Sequence, residues 1–239
     1  MSIAEKQLTI AGNVERVYDA GKKAEYDAFW DAFQKKGQNS NYLCSFAGDG
    51  WTADTFRPKY NIPVGYGYMT FRNSKIEADL VSLCQQLGIA ITFDKSTDFT
   101  QTFANSRFTG IGTVDTTSAS SLASTFSGCT YLKKVGKLIL KSNGSQTFTS
   151  TFFNCTGLEE IEIEGVIGNN INISSSPLDA KSIVSVVEAL SANAQGKSVS
   201  LSMAAVNAAN WTETEYESWD ALVATKTNWT FTLSQGGII

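Results

Sequence analysis

The segment Phe148-Thr-Ser-Thr-Phe152-Phe-Asn-Cys155 decides the fold, because it is the third copy of a unit that the chain repeats. The two earlier copies are Phe99-Thr-Gln-Thr-Phe103-Ala-Asn-Ser106 and Leu122-Ala-Ser-Thr-Phe126-Ser-Gly-Cys129. The central phenylalanines are separated by 126 − 103 = 23 and 152 − 126 = 26 residues, which is a period typical of repeat proteins. The sequence therefore predicts that successive copies stack on one another.

Apolar residues at alternating positions follow each copy, as expected for a strand with one buried face. They are Phe108, Ile111 and Val114 after the first copy, Leu132, Val135, Leu138 and Leu140 after the second, and Leu158, Ile161 and Ile163 after the third. A more degenerate coil precedes them at Leu80, Leu83, Cys84, Leu87, Ile89 and Ile91. A turn anchored by phenylalanine and then a strand make one coil of a stacked core. The predicted fold is α+β, a short leucine-rich-repeat-like solenoid with an N-terminal helix and a C-terminal α/β cap.

Four regions are predicted along the chain. Residues 1–38 form an N-terminal helix, 39–79 an aromatic-rich connector, 80–173 the solenoid and 174–239 the α/β cap. The cap contains a helix that starts near Ser176-Pro177-Leu178-Asp179 and a second helix over residues 212–225, each followed by a strand. The connector has dense turn signals, and its aromatic residues are expected to pack against the solenoid rather than to stack on sugar rings.

The first part of the chain has the heptad spacing of a helix with one narrow apolar seam. The seam is Ile3, Gln7, Ile10, Val14, Val17, Gly21, Ala24 and Ala28. Two interpretations are open. In the first, the helix associates with other chains, either as a short coiled coil such as a trimer or by attachment to a partner protein. In the second, it folds back on its own domain. Because Gln7 is polar and Gly21 weakens a helix, self-association would be modest.

Composition excludes several functions. The sequence contains no histidine, which removes the commonest general base and zinc ligand. The formal net charge is −4, with no basic stripe, so nucleic acid is not an expected partner. No apolar stretch reaches the roughly 20 residues that span a bilayer, and no signal peptide is recognisable, so membrane insertion is not expected.

Candidate sites are weak. Glu162 and Glu164 share a strand face but lack the cleft that a catalytic carboxylate pair needs, while Asp49, Asp94 and Asp98 lie in loops without a calcium motif. Catalytic, cofactor-binding and metal residues are therefore predicted to be absent, and the chain is not expected to be an enzyme. Cys129 and Cys155 occupy equivalent places in adjacent copies, where buried thiols are favoured over a disulfide bond.

The repeated Thr-Phe-x-x-Cys unit, followed by Thr-x-Leu-x-x-Val/Ile, resembles the BspA-like group of leucine-rich repeats, as found in tail- or virion-associated proteins of phages and prophages from gut bacteria. The resemblance implies a non-enzymatic surface-displayed protein. We expect a phage virion structural or accessory protein, assembled in the host cytoplasm, that contacts other virion proteins through its N-terminal helix. A host-surface glycan or protein is the expected ligand. The alternative is a cell-surface or secreted bacterial adhesin of the same group.

Overall fold

A computed structural model describes residues 23–40, 42 and 44–235 of the chain. This part is α+β, with five α-helices and three small parallel sheets. The helices are α1 (Lys23–Asn39), α2 (Leu80–Gln86), α3 (Ala180–Glu188), α4 (Met203–Ala208) and α5 (Trp219–Val223). The strands are β1 (Ile62–Pro63), β2 (Ile91–Thr92), β3 (Gly110–Asp115), β4 (Lys134–Ile139), β5 (Glu160–Glu164), β6 (Ile171–Asn172), β7 (Lys197–Ser202) and β8 (Trp229–Ser234).

The three sheets follow the order of the sequence. β1 pairs with β2, the central sheet has the order β3-β4-β5, and the last sheet has the order β6-β7-β8. Every pairing is parallel, for example Val135 with Ile161 and Val199 with Phe231. Parallel neighbours require a long connection between strands, and in the central sheet that connection carries the repeated phenylalanine segments.

The predicted leucine-rich-repeat-like solenoid is wrong, because the parallel strands lie in three separate sheets and do not form one continuous ladder. Helices stand at both edges of the central sheet. Asp79, just before α2, makes a single bridge to Gly110, and Ser182 of α3 contacts the other edge strand. Since a helix satisfies its backbone groups internally, it cannot extend a sheet. The segment from Leu80 that was expected to form a degenerate coil begins with one of these helices.

Local sequence explains where these two helices start. Asp79 caps α2 by accepting a hydrogen bond from the N–H of Ser82 at 2.7 Å, and Asp179 caps α3 by accepting one from Ser182 at 2.8 Å. An aspartate at the N-cap satisfies a donor that the first helical turn leaves free. The two helices therefore begin with the same device, one on each side of the central sheet.

Five turns centred on phenylalanine lie side by side along the described chain, and we call them the Phe turns. Their central residues are Phe46, Phe71, Phe103, Phe126 and Phe152, and neighbouring rings stack with centroids 5.1, 5.6, 5.5 and 5.5 Å apart. In each Phe turn the residues two before and two after the phenylalanine have positive φ, as at Ser124 (54°) and Gly128 (74°). These two left-handed positions bend the chain tightly around the buried ring.

The segment predicted as a connector contains the first two Phe turns. Helix α1 packs on the first of them, with the ring centroid of Phe33 5.5 Å from that of Phe46. The buried side chain of Gln34 also ties α1 to the connector, because it accepts hydrogen bonds from the N–H groups of Lys59 and Tyr60 at 2.7 and 2.9 Å. One cluster of buried hydrophobic residues extends from Phe29 to Trp229.

The C-terminal region contains the expected strands but a different second helix. A helix was predicted over residues 212–225, whereas the chain forms a 3₁₀ turn at Trp211–Glu213 and then the short helix α5. Ser218 caps α5 by accepting a hydrogen bond from the N–H of Ala221. The capping side chain therefore lies six residues after Thr212, the first residue of the predicted helix, because 218 − 212 = 6.

Most of the N-terminal heptad seam lies outside the described residues. The two seam positions inside α1, Ala24 and Ala28, are exposed, and the buried aromatic residues of this helix are Phe29 and Trp30. The face of α1 that packs on the domain is therefore not the heptad seam.

Candidate binding surface

Backbone hydrogen bonds join the Phe turns in one direction. In each of the first four turns the N–H groups of the phenylalanine and of the residues two before and two after it donate to carbonyl groups of the next turn. Between the fourth and fifth turns, for example, Ser124 donates to Thr149 at 2.9 Å, Phe126 to Thr151 at 3.0 Å and Gly128 to Phe153 at 2.8 Å. The turns thus form a ladder whose donors all point towards the C-terminal end.

The last Phe turn has no following turn to accept these bonds. The N–H groups of Ser150, Phe152 and Asn154 have no acceptor among the described residues. Beside them the side chain of Phe153 is 65% exposed, which is the highest value for a large hydrophobic residue in the described part of the chain. We call these three N–H groups and the Phe153 side chain the open edge.

A shortened connection leaves this edge uncovered. Hydrogen bonds align Thr109 with Lys133, Lys133 with Glu159, and Glu159 with Asp179, so the chain returns to the same place after 133 − 109 = 24, 159 − 133 = 26 and then 179 − 159 = 20 residues. The last passage is 26 − 20 = 6 residues shorter than the one before. It contains strands β5 and β6 and a tight turn in which the N–H of Ser176 donates to the carbonyl of Ile173 at 3.1 Å, and no sixth Phe turn is formed among the described residues.

The inner and outer sides of the last Phe turn differ. The rings of Phe148 and Phe152 are buried, and the thiol of Cys155 donates to the carbonyl of Phe126 at 3.0 Å. The outer side carries the exposed residues Thr149, Ser150, Phe153 and Asn154. The open edge is therefore a row of backbone donors beside one apolar side chain, with a rigid packed core behind it, and it is suited to binding rather than to covalent chemistry.

The edge of the adjacent β-strand, in contrast, is satisfied. In β5 the N–H groups of Ile161 and Ile163 donate to the hydroxyl groups of Ser182 and Ser185 on α3, at 2.9 and 2.8 Å. Two serine side chains thus replace the carbonyl groups of a missing strand. The edge N–H groups of β5 therefore have acceptors, whereas those of the last Phe turn do not.

The carboxylates considered from the sequence lie in ion pairs at the surface. Glu162 and Glu164 both contact the Nζ atom of Lys137, at 2.9 and 3.0 Å, and their hydrogen bonds raise the pKa of that lysine. Asp49 pairs with Lys75 at 3.4 Å. These carboxylates neutralise lysines on an exposed face, where such pairs contribute little to stability.

The loop aspartates do not converge either. Asp98 accepts a hydrogen bond from the N–H of Thr100 at 2.7 Å, and Asp94 contributes its backbone carbonyl to Ser118. No group of three or more cysteine, aspartate or glutamate side chains within residues 23–235 that the structure describes could hold a metal ion. The described cysteines are all free thiols, including Cys129 and Cys155.

A shallow groove of about 480 Å³ lies on the C-terminal region, between the start of α3 and α4. Its walls include Leu178, Ala205 and Ala208, and the ion pair of Lys181 with Glu213, at 3.3 Å, crosses its rim. The polar side chains that line it already have partners within the chain, because Lys181 and Asn210 both contact Glu213 and Asp179 caps α3. We therefore take the open edge as the candidate binding surface.

Sequence reasoning missed this surface, although a signal was present. Thr70-Phe71-Arg-Asn-Ser74 matches Thr102-Phe103-Ala-Asn-Ser106, so the first turns could have been recognised in the connector. The same comparison fails after Cys155, where residues 173–179 contain no Thr-Phe unit. That failure indicates the position at which the stack of turns ends.

Comparisons with protein families, with curated proteins and with solved structures find no match to this chain. Among the helices that the structure describes, none combines the length and apolar character needed to cross a membrane.

Proposed function

We propose that the protein is a non-enzymatic structural or accessory protein of a phage particle and that it binds a partner through the open edge. The observation that supports this proposal best is the last Phe turn, whose N–H groups at Ser150, Phe152 and Asn154 lack acceptors while the rest of the stack is closed. A rigid stack with one uncovered end is suited to display and attachment, because little conformational entropy is lost when the end binds.

Two further observations agree with a non-catalytic role. The chain has no histidine, and the surface carboxylates Glu162 and Glu164 are paired with a lysine. The resemblance of the Thr-Phe units to BspA-like repeats of virion-associated proteins supplies the biological setting. Attachment to other virion proteins through residues 1–38, and binding of a host-surface glycan or protein, remain parts of this proposal.

The proposal is tested by locating the protein. Particles released from a strain that carries the gene are purified on a density gradient, and the protein is quantified by mass spectrometry in the particle, soluble and cell-surface fractions. Constant stoichiometry with the particle's other proteins is the expected result. Recovery from the cell surface alone would instead identify an adhesin, and absence from the particle would refute a virion role.

A further inference from the structure

We infer that the open edge binds a turn of a partner polypeptide, whose backbone carbonyl groups accept hydrogen bonds from Ser150, Phe152 and Asn154. The inference rests on the proposed function and names the chemistry of the partner at the same surface. It concerns a protein segment rather than a sugar or a second copy of this chain.

The interfaces inside the chain show which chemistry fits. Four consecutive turn-to-turn interfaces use the same bond at their centre, from a phenylalanine N–H to a threonine carbonyl. These bonds are Phe46 to Thr70 at 2.8 Å, Phe71 to Thr102 at 2.8 Å, Phe103 to Thr125 at 2.9 Å and Phe126 to Thr151 at 3.0 Å. The open edge is continuous with these interfaces and repeats their donor side. The complementary acceptor is therefore a row of alternate backbone carbonyl groups.

Burial of the central donor strengthens this argument. Phe152 is only 1% exposed, and its N–H has no acceptor among the described residues. A recessed N–H without an acceptor is unfavourable, because it has lost water without gaining a protein partner. The flanking donors belong to the exposed residues Ser150 and Asn154, where a partner's carbonyl groups can reach them, and Phe153 supplies apolar contact area beside them. Extended segments that add to an exposed backbone edge are a common mode of peptide recognition.

The charge around the open edge limits the partner further. Residues 147–157 contain no aspartate, glutamate, lysine or arginine. A strongly acidic or basic segment would find no opposite charge there, and burying its charges would cost free energy. The expected partner segment is uncharged and rich in small polar and aromatic residues, as the Phe turns themselves are.

A second copy of this chain does not offer the matching acceptor edge. That edge belongs to the first Phe turn, and α1 packs against this turn: the ring of Phe33 lies on Phe46, and a methyl group at Gly37 would lie 2.7 Å from the ring of Tyr42. Stacking two copies end to end would require α1 to move away from its aromatic contacts. The occupant is therefore a different polypeptide.

The test uses a synthetic peptide with the sequence of residues 99–106, Phe-Thr-Gln-Thr-Phe-Ala-Asn-Ser, blocked at both ends. Amide hydrogen exchange of the full chain is followed by NMR with and without the peptide. In the free protein we expect the amides of Ser150, Phe152 and Asn154 to exchange much faster than the equivalent amides of Ser124, Phe126 and Gly128. Excess peptide should slow exchange at the first three positions several-fold and leave the other three unchanged.

Two variants serve as controls. Phe153→Asp should weaken peptide binding, because it places a charge beside the edge, and the exposed position makes loss of folding unexpected. In a second variant, six residues are inserted within residues 174–177 so that a sixth Phe turn can form. In this variant the three amides should be protected from exchange without peptide. An unchanged exchange pattern with peptide, or three amides already protected in the free monomer, would refute the inference.

Analytical ultracentrifugation completes the test. Protection of the three amides that grows with protein concentration, together with a dimer mass, would assign the edge to a second copy and overturn the choice of a foreign partner. None of these results depends on where the protein resides. The inference can therefore fail while the protein is found in particles, and it can hold while the protein is absent from them.

Discussion

The rings of Phe103 and Phe126 lie parallel to within 1°, with centroids 5.5 Å apart, and Phe152 continues the stack at the same spacing. Phe126 thus lies between two stacked neighbours that come from different Phe turns. Both of its faces are covered, and it is fully buried. The stack has little room to relax around a smaller side chain at this position.

Replacing Phe126 by alanine should therefore create a cavity and lower the free energy of unfolding by about 3–5 kcal/mol. Urea denaturation followed by circular dichroism measures this loss. The matched control is Phe153→Ala, which truncates an exposed ring in the adjacent turn and should change stability by no more than about 0.5 kcal/mol. Similar losses for the two variants would contradict the stacked arrangement.

The serine that closes the edge of β5 gives a second prediction. The hydroxyl of Ser182 is buried and accepts the N–H of Ile161, so Ser182→Ala leaves a buried donor unpaired and should cost about 1–3 kcal/mol. Amide exchange at Ile161 should become faster, and denaturation should report the loss.

Ser185→Ala provides a comparison in which a smaller loss of stability is expected. Ser185 accepts the N–H of Ile163 at 2.8 Å but is partly exposed, so water can replace its hydroxyl. A smaller loss is expected than for Ser182→Ala. If both substitutions left the exchange of Ile161 and Ile163 unaltered, the hydroxyl groups would not be the acceptors of the strand edge.

Much of the core could be predicted from the sequence, because the Thr-Phe units repeat and each phenylalanine is large enough to require burial. The stacking of Phe103, Phe126 and Phe152 follows directly from that repetition. The division of the strands into three separate sheets could not be predicted in the same way. Leu80 and Leu83 fit either a strand or a helix over so short an apolar run, and the capping bond of Asp79 favours the helix.

The candidate site was harder to predict than the core. Its donors are backbone N–H groups, which every residue except proline carries, so no residue type marks them. These donors are identified by the absence of a sixth Phe turn. That absence shows as a shortened passage from Glu159 to Asp179, which is evident only when hydrogen bonds align the turns. Phe153 alone gave a sequence signal, and adjacent phenylalanines do not show which ring is exposed.

A surface glycine provides the third prediction. Gly165 has φ +106°, and a methyl group there would press against the backbone carbonyl of Leu140. Gly165→Ala should therefore destabilise the protein by about 1–3 kcal/mol, although the residue is exposed. Thermal and urea denaturation would measure the effect.

Gly196→Ala separates the two causes of that loss. Gly196 also has positive φ, at +63°, but a methyl group there would meet no atom within 4 Å. This control should cost only about 1 kcal/mol, the penalty of the left-handed backbone alone. A cost for Gly165→Ala no larger than the control would show that the approach to Leu140 is unimportant.

The buried thiols give the fourth prediction. Burial raises the pKa of Cys129 to about 11 and that of Cys84 to about 12, and desolvation also raises the pKa of Cys44, but the Cys44 thiol is exposed to reagent. Because the thiolate is the reactive form, iodoacetamide at about pH 8 should modify Cys44 in the folded protein and leave Cys84 and Cys129 unmodified until the chain unfolds. Peptide mapping by mass spectrometry identifies the labelled positions, and Cys44→Ser should abolish native labelling.

The same pKa shift predicts a loss of stability in alkali. For Cys129 the folded protein holds its proton up to a pKa of about 11, while the unfolded chain releases it near the ordinary value of about 8.5. Between these values the folded state binds more protons, so the free energy of unfolding falls as pH rises.

Cys129→Ser is the matched variant, since Ser106 occupies the equivalent position in the preceding Phe turn and a hydroxyl does not titrate here. The stability of the native chain relative to this variant should fall by roughly 2–3 kcal/mol from about pH 8 to about pH 11, as urea denaturation at each pH would measure. A difference that stays constant over this range would show that the thiol of Cys129 ionises as readily in the folded protein as in the unfolded chain.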